Sequence, residues 1–113
     1  MDRSLWGSYR NLRVWNRAIS LTLEVYRITA RFPRTEQFGL TSQLRRAAVS
    51  VASGSARGEY KNFLSIARGS VIEVEVQLTL AEKLGYVQSL GLASALDDCD
   101  AVSRMITNMK RGL

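Results

Sequence analysis

Apolar residues recur at intervals of three and four along nearly the whole of this 113-residue chain. Such spacing places them on one side of an α-helix, and no long stretch shows the period of two that is typical of a strand. Glycine and proline interrupt the pattern at Phe32-Pro33, Gly39, Gly54, Gly58 and Gly85. Proline disfavours a helical conformation in the residue before it, and glycine commonly follows a helix end. The pattern predicts four helices, over about residues 9–31, 41–56, 59–84 and 89–111.

Short connections between long helices make each helix antiparallel to the one before it. We therefore predict an all-α fold, an antiparallel up-down-up-down four-helix bundle in one domain over residues 1–113. Thr41 is the predicted N-cap of the second helix, and Gly85 the predicted C-cap of the third.

Each helix is expected to turn one apolar face inward. In the first helix this face is predicted to follow Leu12, Trp15, Ile19, Thr22, Tyr26 and Thr29, widened by Val14, Ala18, Leu21, Val25 and Ile28. Trp15 lies midway along it and is the predicted core anchor. In the second helix the predicted inner residues are Leu44, Ala47, Ala48 and Val51. In the third they are Tyr60, Phe63, Ala67, Val71, Val74, Leu78 and Ala81, and in the fourth they are Leu92, Leu96, Cys99, Val102, Ile106 and Met109.

The predicted helices differ in length, and this predicts self-association. At the α-helical rise the second helix spans about 24 Å, whereas the first and third span about 34–39 Å. The first helix also has more apolar surface than one core seam buries. Apolar patches of this kind mark association surfaces, so we expect a homo-oligomer.

The charge is concentrated in the first half of the sequence. Sixteen basic and ten acidic residues give a net charge of +6, and thirteen of the basic residues are arginine. Residues 1–40 carry a net charge of +4 and residues 41–57 a further +3, whereas residues 58–113 carry −1. An excess of guanidinium groups favours a polyanionic partner, because their planar donors suit phosphates and carboxylates.

A polar stripe along the first helix contains five of these arginines. With Ser20 and Glu24 they form a series at alternating intervals of three and four, in which Glu24 is the one acidic residue. Such a stripe is either the solvated side of the helix or a row that binds nucleic-acid phosphates. The candidate nucleic-acid-binding residues are Arg10, Arg13, Arg17, Arg27, Arg31, Arg34, Arg46 and Arg57.

Three further features receive structural interpretations. Arg45 and Arg46 are predicted to lie opposite the third helix, so one of the two is expected to pair with Glu73. Gly69, inside the third helix, is expected to allow a neighbouring helix to approach closely. Cys99 is expected to be a buried, inert hydrophobe.

The residue inventory favours a protein without enzymatic activity, and no catalytic residue, metal or cofactor is predicted. The chain has no histidine and one cysteine. This removes the commonest general base, internal disulfides and the usual zinc ligand sets. No apolar run approaches the roughly 20 residues that span a bilayer, and the first ten residues are too polar for a signal peptide. We expect a cytoplasmic protein that does not enter a membrane.

Several strings together carry a family resemblance. They are Leu12-Arg13-Val14-Trp15, Val25-Tyr26, Phe32-Pro33, residues 36–51 (EQFGLTSQLRRAAVSV), residues 63–70 (FLSIARGS), residues 73–78 (EVEVQL) and Leu84-Gly85-Tyr86. In these the chain resembles the 23S rRNA-intervening-sequence protein family of bacterial four-helix-bundle proteins.

The resemblance implies a small cytoplasmic bundle that assembles into a ring, with a pentamer expected. It also implies no catalytic residues, and a basic protein that binds RNA or DNA. Some similar proteins assist the reverse transcriptase of diversity-generating retroelements, so a reverse transcriptase is a further expected partner. The segment from Ala52 to Asn62 departs from the family pattern, being several residues shorter, so that the role and geometry of this loop are not carried over. The alternative interpretation is a homo-oligomeric scaffold whose basic faces dock acidic proteins.

Overall fold

The computed structural model describes the backbone of residues 9–113 and the side chains of residues 11–113. It contains four α-helices: α1 (Tyr9–Thr29), α2 (Leu40–Ala56), α3 (Lys61–Lys83) and α4 (Ser89–Arg111). A single 3₁₀ turn, Arg34–Glu36, connects α1 to α2. Residues 9–113 contain no strand. The predicted all-α class with four helices is confirmed. Helix α1 ends at Thr29, two residues before its predicted end, and α3 begins at Lys61, two residues after its predicted start.

Consecutive helices run antiparallel. The Thr22 hydroxyl donates to the Ala48 carbonyl at 3.2 Å, and Arg45 Nε donates to Thr29 Oγ1 at 2.8 Å, so residue numbers rise along α1 as they fall along α2. Both α1 and α3 pack against α2 and α4. Therefore α1 and α3 occupy opposite corners of a bundle that measures 41 × 22 × 20 Å.

The core lies along the bundle axis and is built mainly of aliphatic side chains. Its largest fully buried members are Val14, Leu21, Val25, Leu44, Val51, Leu64, Val71, Val74, Leu78, Leu92, Val102 and Ile106. All four predicted inner residues of α2 are buried, as is Cys99 in α4. Tyr60 and Leu96 were predicted to be inside but are 48% and 37% exposed.

The predicted inner face of α1 is wrong by part of a turn. The residues that the sequence suggested as a widening of this face, such as Val14 and Leu21, form the buried centre. Trp15 and Ile19 are only half-buried, and Tyr26 is 43% exposed. Helix α1 has two adjacent apolar rows. The row with Val14 and Leu21 points between α2 and α4 and is buried in the core. Trp15 is therefore not a core anchor of the monomer.

Glu36 joins the start of α2 to the turn between α3 and α4. Its Oε1 accepts the backbone N–H of Leu40 at 3.1 Å, and its Oε2 accepts the Tyr86 hydroxyl at 2.8 Å. This hydrogen bond raises the pKa of Tyr86 above its usual value. The Tyr86 ring also contacts the ring of Phe32, with centroids 5.4 Å apart. The predicted N-cap Thr41 is wrong: α2 begins at Leu40 with Gly39 as its N-cap, and the Glu36 carboxylate accepts the N–H of Leu40.

Two glycines have distinct structural roles, Gly85 through its positive φ and Gly54 through close helix packing. Gly85 has a φ of 82°, and the following N–H of Tyr86 bonds to the Ala81 carbonyl at 2.9 Å, so Gly85 ends α3 as predicted. At Gly54 an added Cβ would lie 2.7 Å from the Phe63 carbonyl oxygen, because α2 and α3 touch there. At Gly69, by contrast, no atom of another described element lies within 4 Å of the position of a Cβ, so neither α1, α2 nor α4 approaches it.

Among the helices of the described chain, none combines the length and the apolar character required to cross a membrane.

Candidate nucleic-acid interface

The arginine stripe of α1 lies along the seam with α4, and the middle of the stripe is neutralised there. Arg17 Nε donates to Asp98 Oδ1 at 2.5 Å, and Arg17 Nη2 donates to Asp97 Oδ2 at 2.8 Å. The Ser20 hydroxyl donates to Asp98 Oδ2 at 3.0 Å. These contacts, led by the hydrogen bond to Asp98, raise the pKa of Arg17. Arg17 therefore joins two helices, and its guanidinium is already occupied by carboxylates.

Two other candidate arginines also have carboxylate partners. Arg27 pairs with Glu24 one turn earlier on α1, although its own side chain stays 68% exposed. Arg57 follows α2; its Nε lies 3.3 Å from Glu59 Oε1, and its guanidinium stacks 5.1 Å from the Tyr60 ring centroid. Arg57 thus orders the turn between α2 and α3.

Four candidate arginines remain exposed and form no ion pair with any side chain of residues 11–113: Arg13, Arg31, Arg34 and Arg46. Arg13 lies near the start of α1, whereas Arg31 and Arg34 follow its end at Thr29, which is about 24 Å from Arg13 at the helical rise. The side chain of Arg10 lies outside the described residues. The continuous row predicted from spacing is therefore divided into two basic ends by the acidic residues of α1 and α4.

A groove of about 640 Å³ opens beside the end that contains Arg31. Arg27 and Arg31 line one side, and the turn from Gly85 to Gln88 with Gly91 lines the other. Of the two guanidinium groups that line it, that of Arg27 is paired with Glu24, and that of Arg31 has no ion pair with a described side chain.

Of the two neighbouring arginines in α2, Arg45 is structural and Arg46 is exposed. Arg45 bonds to Thr29 and stacks 4.5 Å above the Tyr26 ring, and it makes no contact with Glu73. The predicted Glu73 partner is wrong because Arg45 points toward α1 rather than α3. Glu73 is exposed and has no ion pair within the described part of the protomer.

Four cations that the sequence analysis did not select lie together at one end of the bundle. Lys61 and Arg68 of α3 and Lys110 and Arg111 of α4 line one cavity. They were missed because charge was summed along the chain, where residues 58–113 have a net charge of −1. The predicted antiparallel arrangement of α3 and α4 could have indicated this cluster, because it brings the start of α3 beside the end of α4.

The lone thiol is in the core and does not reach these surfaces. Burial, with smaller contributions from Glu75 and Asp98, raises the pKa of Cys99 to about 12 from 9.0. A neutral thiol is a poor nucleophile and a poor metal ligand at physiological pH. The interpretation of Cys99 as a buried structural residue agrees with this placement.

The fold and these surfaces define a class of protein: a small four-helix protein whose exposed cations lie on helix surfaces and at helix ends. Within that class, the model of the family described as 23S rRNA-intervening sequence protein matches residues 10–108. The match covers most of the chain, and the protein belongs to this family. No curated protein matches the sequence.

Proposed function

We propose that this protein is a non-enzymatic accessory protein of the cytoplasm that binds the phosphate backbone of RNA or DNA. The observation that carries the proposal is the set of exposed arginines without acidic partners, Arg13, Arg31, Arg34 and Arg46, on a chain of net charge +6. Backbone contacts by arginine supply affinity without reading base sequence. By its resemblance to accessory proteins of diversity-generating retroelements, a reverse transcriptase is the proposed protein partner.

Binding to a duplex RNA as salt is varied tests this proposal. Replacing Arg13 and Arg31 with Gln removes two charges while keeping most of each side chain, and at Arg13, inside α1, it also keeps helix propensity. We expect weaker binding, little dependence on sequence, and a salt slope that is shallower by about 0.9 for each phosphate no longer neutralised. Lys83→Gln is the control, because Lys83 is an exposed cation outside the proposed set. Unchanged affinity and slope in the double variant would contradict the proposal.

The alternative function is a scaffold that docks acidic proteins. Phe38 and Leu90 favour it, because each is 90% exposed at the end of the bundle that also contains Arg34. If the wild-type protein binds no nucleic acid at low salt but Phe38→Ser weakens capture of a purified acidic partner, the scaffold function replaces the first proposal.

We further propose that the working form is a ring-like homo-oligomer, with five subunits expected from the resemblance. Two apolar faces that differ in composition support this. The outer face of α3 exposes four large apolar side chains, Ile66, Ile72, Val76 and Leu80, and the C-cap residue Leu84 is exposed directly after them. At the opposite corner, α1 exposes Leu23 and Tyr26, and the neighbouring helix α2 exposes Val49. When two different faces of one protomer pair with each other, association is head-to-tail, and a ring forms if the rotation closes.

Gly69 supports the same assembly. Glycine inside a helix costs about 1 kcal/mol relative to alanine. It lies between Ile66 and Ile72 on the exposed face of α3 and faces open space in the protomer. A second copy packing on this face would explain why a small residue stands there.

Two complementary variants test the head-to-tail arrangement. Leu23→Glu places a charge on the α1 face, and Val76→Glu places one on the α3 face. Alone, each variant is expected to have a mass near 12.6 kDa by light scattering, whereas the wild-type protein has a multiple of this mass. Mixed, they are expected to form a heterodimer, because each retains the face that the other has lost. A monomeric wild-type protein would contradict the assembly, and a mixture that stays monomeric would contradict the head-to-tail pairing.

A further inference from the structure

Antiparallel folding concentrates positive charge at one end of the bundle. The half made of residues 9–19, 49–72 and 100–113 contains nine basic and two acidic residues. The other half, residues 20–48 and 73–99, contains six basic and seven acidic residues. The net charge is therefore +7 at one end and −1 at the other, or +6 and 0 when Arg17 is counted with its partners Asp97 and Asp98, and this polarity runs along the long axis of the bundle.

The centre of the basic end is an open cavity of about 480 Å³ between the first turns of α3 and the last turn of α4. It is lined by Lys61, Arg68, Thr107, Lys110, Arg111 and Leu113, with no acidic side chain among them. None of its four cations forms an ion pair with another described side chain. The only carboxylate in the preceding turn, Glu59, is paired with Arg57.

A fifth cation, contributed by α1, lies beside the end of α4. Arg13 of α1 lines a smaller cavity of about 90 Å³ with Met105, Asn108 and Met109. The last two turns of α4 are thus flanked by cations from α1 on one side and from α3 on the other. We call these five residues the α4 basic band: Arg13, Lys61, Arg68, Lys110 and Arg111.

We propose that the α4 basic band is the principal phosphate-binding surface of this protein, and that the cavity between α3 and α4 takes phosphate groups of the nucleic-acid backbone. This inference rests on the proposed function, and it places the main phosphate contacts at one end of the bundle. Like charges gathered without acidic partners repel one another, and a bound polyanion offsets that repulsion. Because the contacts are to phosphate, binding at the band is expected to be independent of base sequence.

Two lysines on α3 provide a matched test. Lys61 and Lys83 are both exposed, have no ion pair in the described structure, and lie at opposite ends of the same helix. Binding of a short RNA duplex of mixed sequence is followed by fluorescence anisotropy at several salt concentrations. We expect Lys61→Gln to weaken binding several-fold and Lys83→Gln to leave it near the wild-type value. Adding Arg68→Gln to Lys61→Gln should make the salt slope shallower by about 0.9 for each phosphate that the band no longer neutralises.

Equal effects of Lys61→Gln and Lys83→Gln would overturn the inference, because only the total charge would then matter. Wild-type affinity in the Lys61/Arg68 double variant would also overturn it, while weaker binding by the Arg13/Arg31 variant would leave the proposed function standing. If the wild-type protein binds no nucleic acid, the proposed function fails, and inorganic tripolyphosphate becomes the probe. Shifts of the Arg68 and Thr107 amide resonances on its addition, absent in Lys61→Gln, would support a phosphate site; no shifts would overturn it.

Discussion

Arg17 and Asp98 form an ion pair that fixes α1 against α4, with Arg17 Nε 2.5 Å from Asp98 Oδ1. The Asp98 side chain is 6% exposed, whereas that of Arg17 is 36% exposed. Removing the arginine would leave a buried carboxylate that accepts a hydrogen bond from the Ser20 hydroxyl but has no cation beside it. The pair therefore has a structural role, and a residue that spacing alone assigned to ligand binding holds the bundle together.

Arg17→Gln is expected to lower the free energy of unfolding by about 1.5–3 kcal/mol, the range for a hydrogen bond to a charged group. Chemical denaturation followed by circular dichroism measures this. Arg13→Gln is the control, because Arg13 is exposed and unpaired with any described carboxylate, and it should change stability by less than about 0.5 kcal/mol. Equal stability of the two variants would show that the Asp98 pair does not stabilise the fold.

Trp15→Ala is expected to cost less than the roughly 3–5 kcal/mol that truncation of a buried tryptophan costs, because Trp15 is only half-buried. Leu44→Ala is the comparison, since Leu44 is fully buried and should cost about 2–5 kcal/mol. Both are measured by denaturation in the Val76→Glu background, which separates folding from self-association. A larger loss at Trp15 than at Leu44 would contradict the observed core.

Gly54→Ala and Gly69→Ala should have opposite effects, although both place alanine inside a helix. At Gly54 the new Cβ would lie 2.7 Å from the Phe63 carbonyl oxygen and 2.9 Å from the Ala67 Cβ, so α2 and α3 must separate. Overpacking of this kind costs about 1–3 kcal/mol, more than the helix propensity of alanine contributes.

At Gly69 no atom of another described element lies within 4 Å of the new Cβ, so alanine should raise the stability of the isolated protomer by up to about 1 kcal/mol. Thermal melts of both variants in the Val76→Glu background test the pair. A stabilising effect of Gly54→Ala would show that α2 and α3 approach each other less closely than these distances indicate.

The buried thiol makes stability depend on pH in the alkaline range. An unfolded cysteine loses its proton near pH 9, whereas burial raises the pKa of Cys99 to about 12. Between these values the unfolded chain binds fewer protons than the folded one, so stability falls as the pH rises. Denaturation from pH 8 to 11 should show a decline that is smaller in Cys99→Ala. Iodoacetamide should modify Cys99 slowly at pH 8 unless denaturant is added; rapid modification of the folded protein would contradict its burial.

The residues that carry the family resemblance are mainly joints of the bundle. Phe32, Glu36 and Tyr86 meet where three helix ends converge. Tyr26 and Arg45 stack between α1 and α2, and the Ser70 hydroxyl donates to Ser50 Oγ at 2.8 Å between α2 and α3. The sequence strings that carry the family resemblance therefore reflect packing within the bundle. They give little information on what the protein binds.

Local spacing determined the number and class of the helices, because helical periodicity and the glycine and proline breaks act within a few residues. It also determined the end of α3, where Gly85 adopts a positive φ. The choice between the two apolar rows of α1 could not be made locally. Both rows have helical spacing, and only the positions of α2 and α4 decide that Val14 and Leu21, rather than Trp15 and Tyr26, are inside.

The surface charges depended on tertiary structure still more strongly. The order of residues alone indicates a basic, histidine-free helical chain with arginines at regular intervals on α1. Only the bundle brought Asp98 to Arg17, 81 residues apart in sequence, and so neutralised the middle of that row. Only the bundle placed Lys61 and Arg68 beside Lys110 and Arg111. The physical reason is that Coulomb energies depend on distance in space, and a linear sum of charges does not contain that distance.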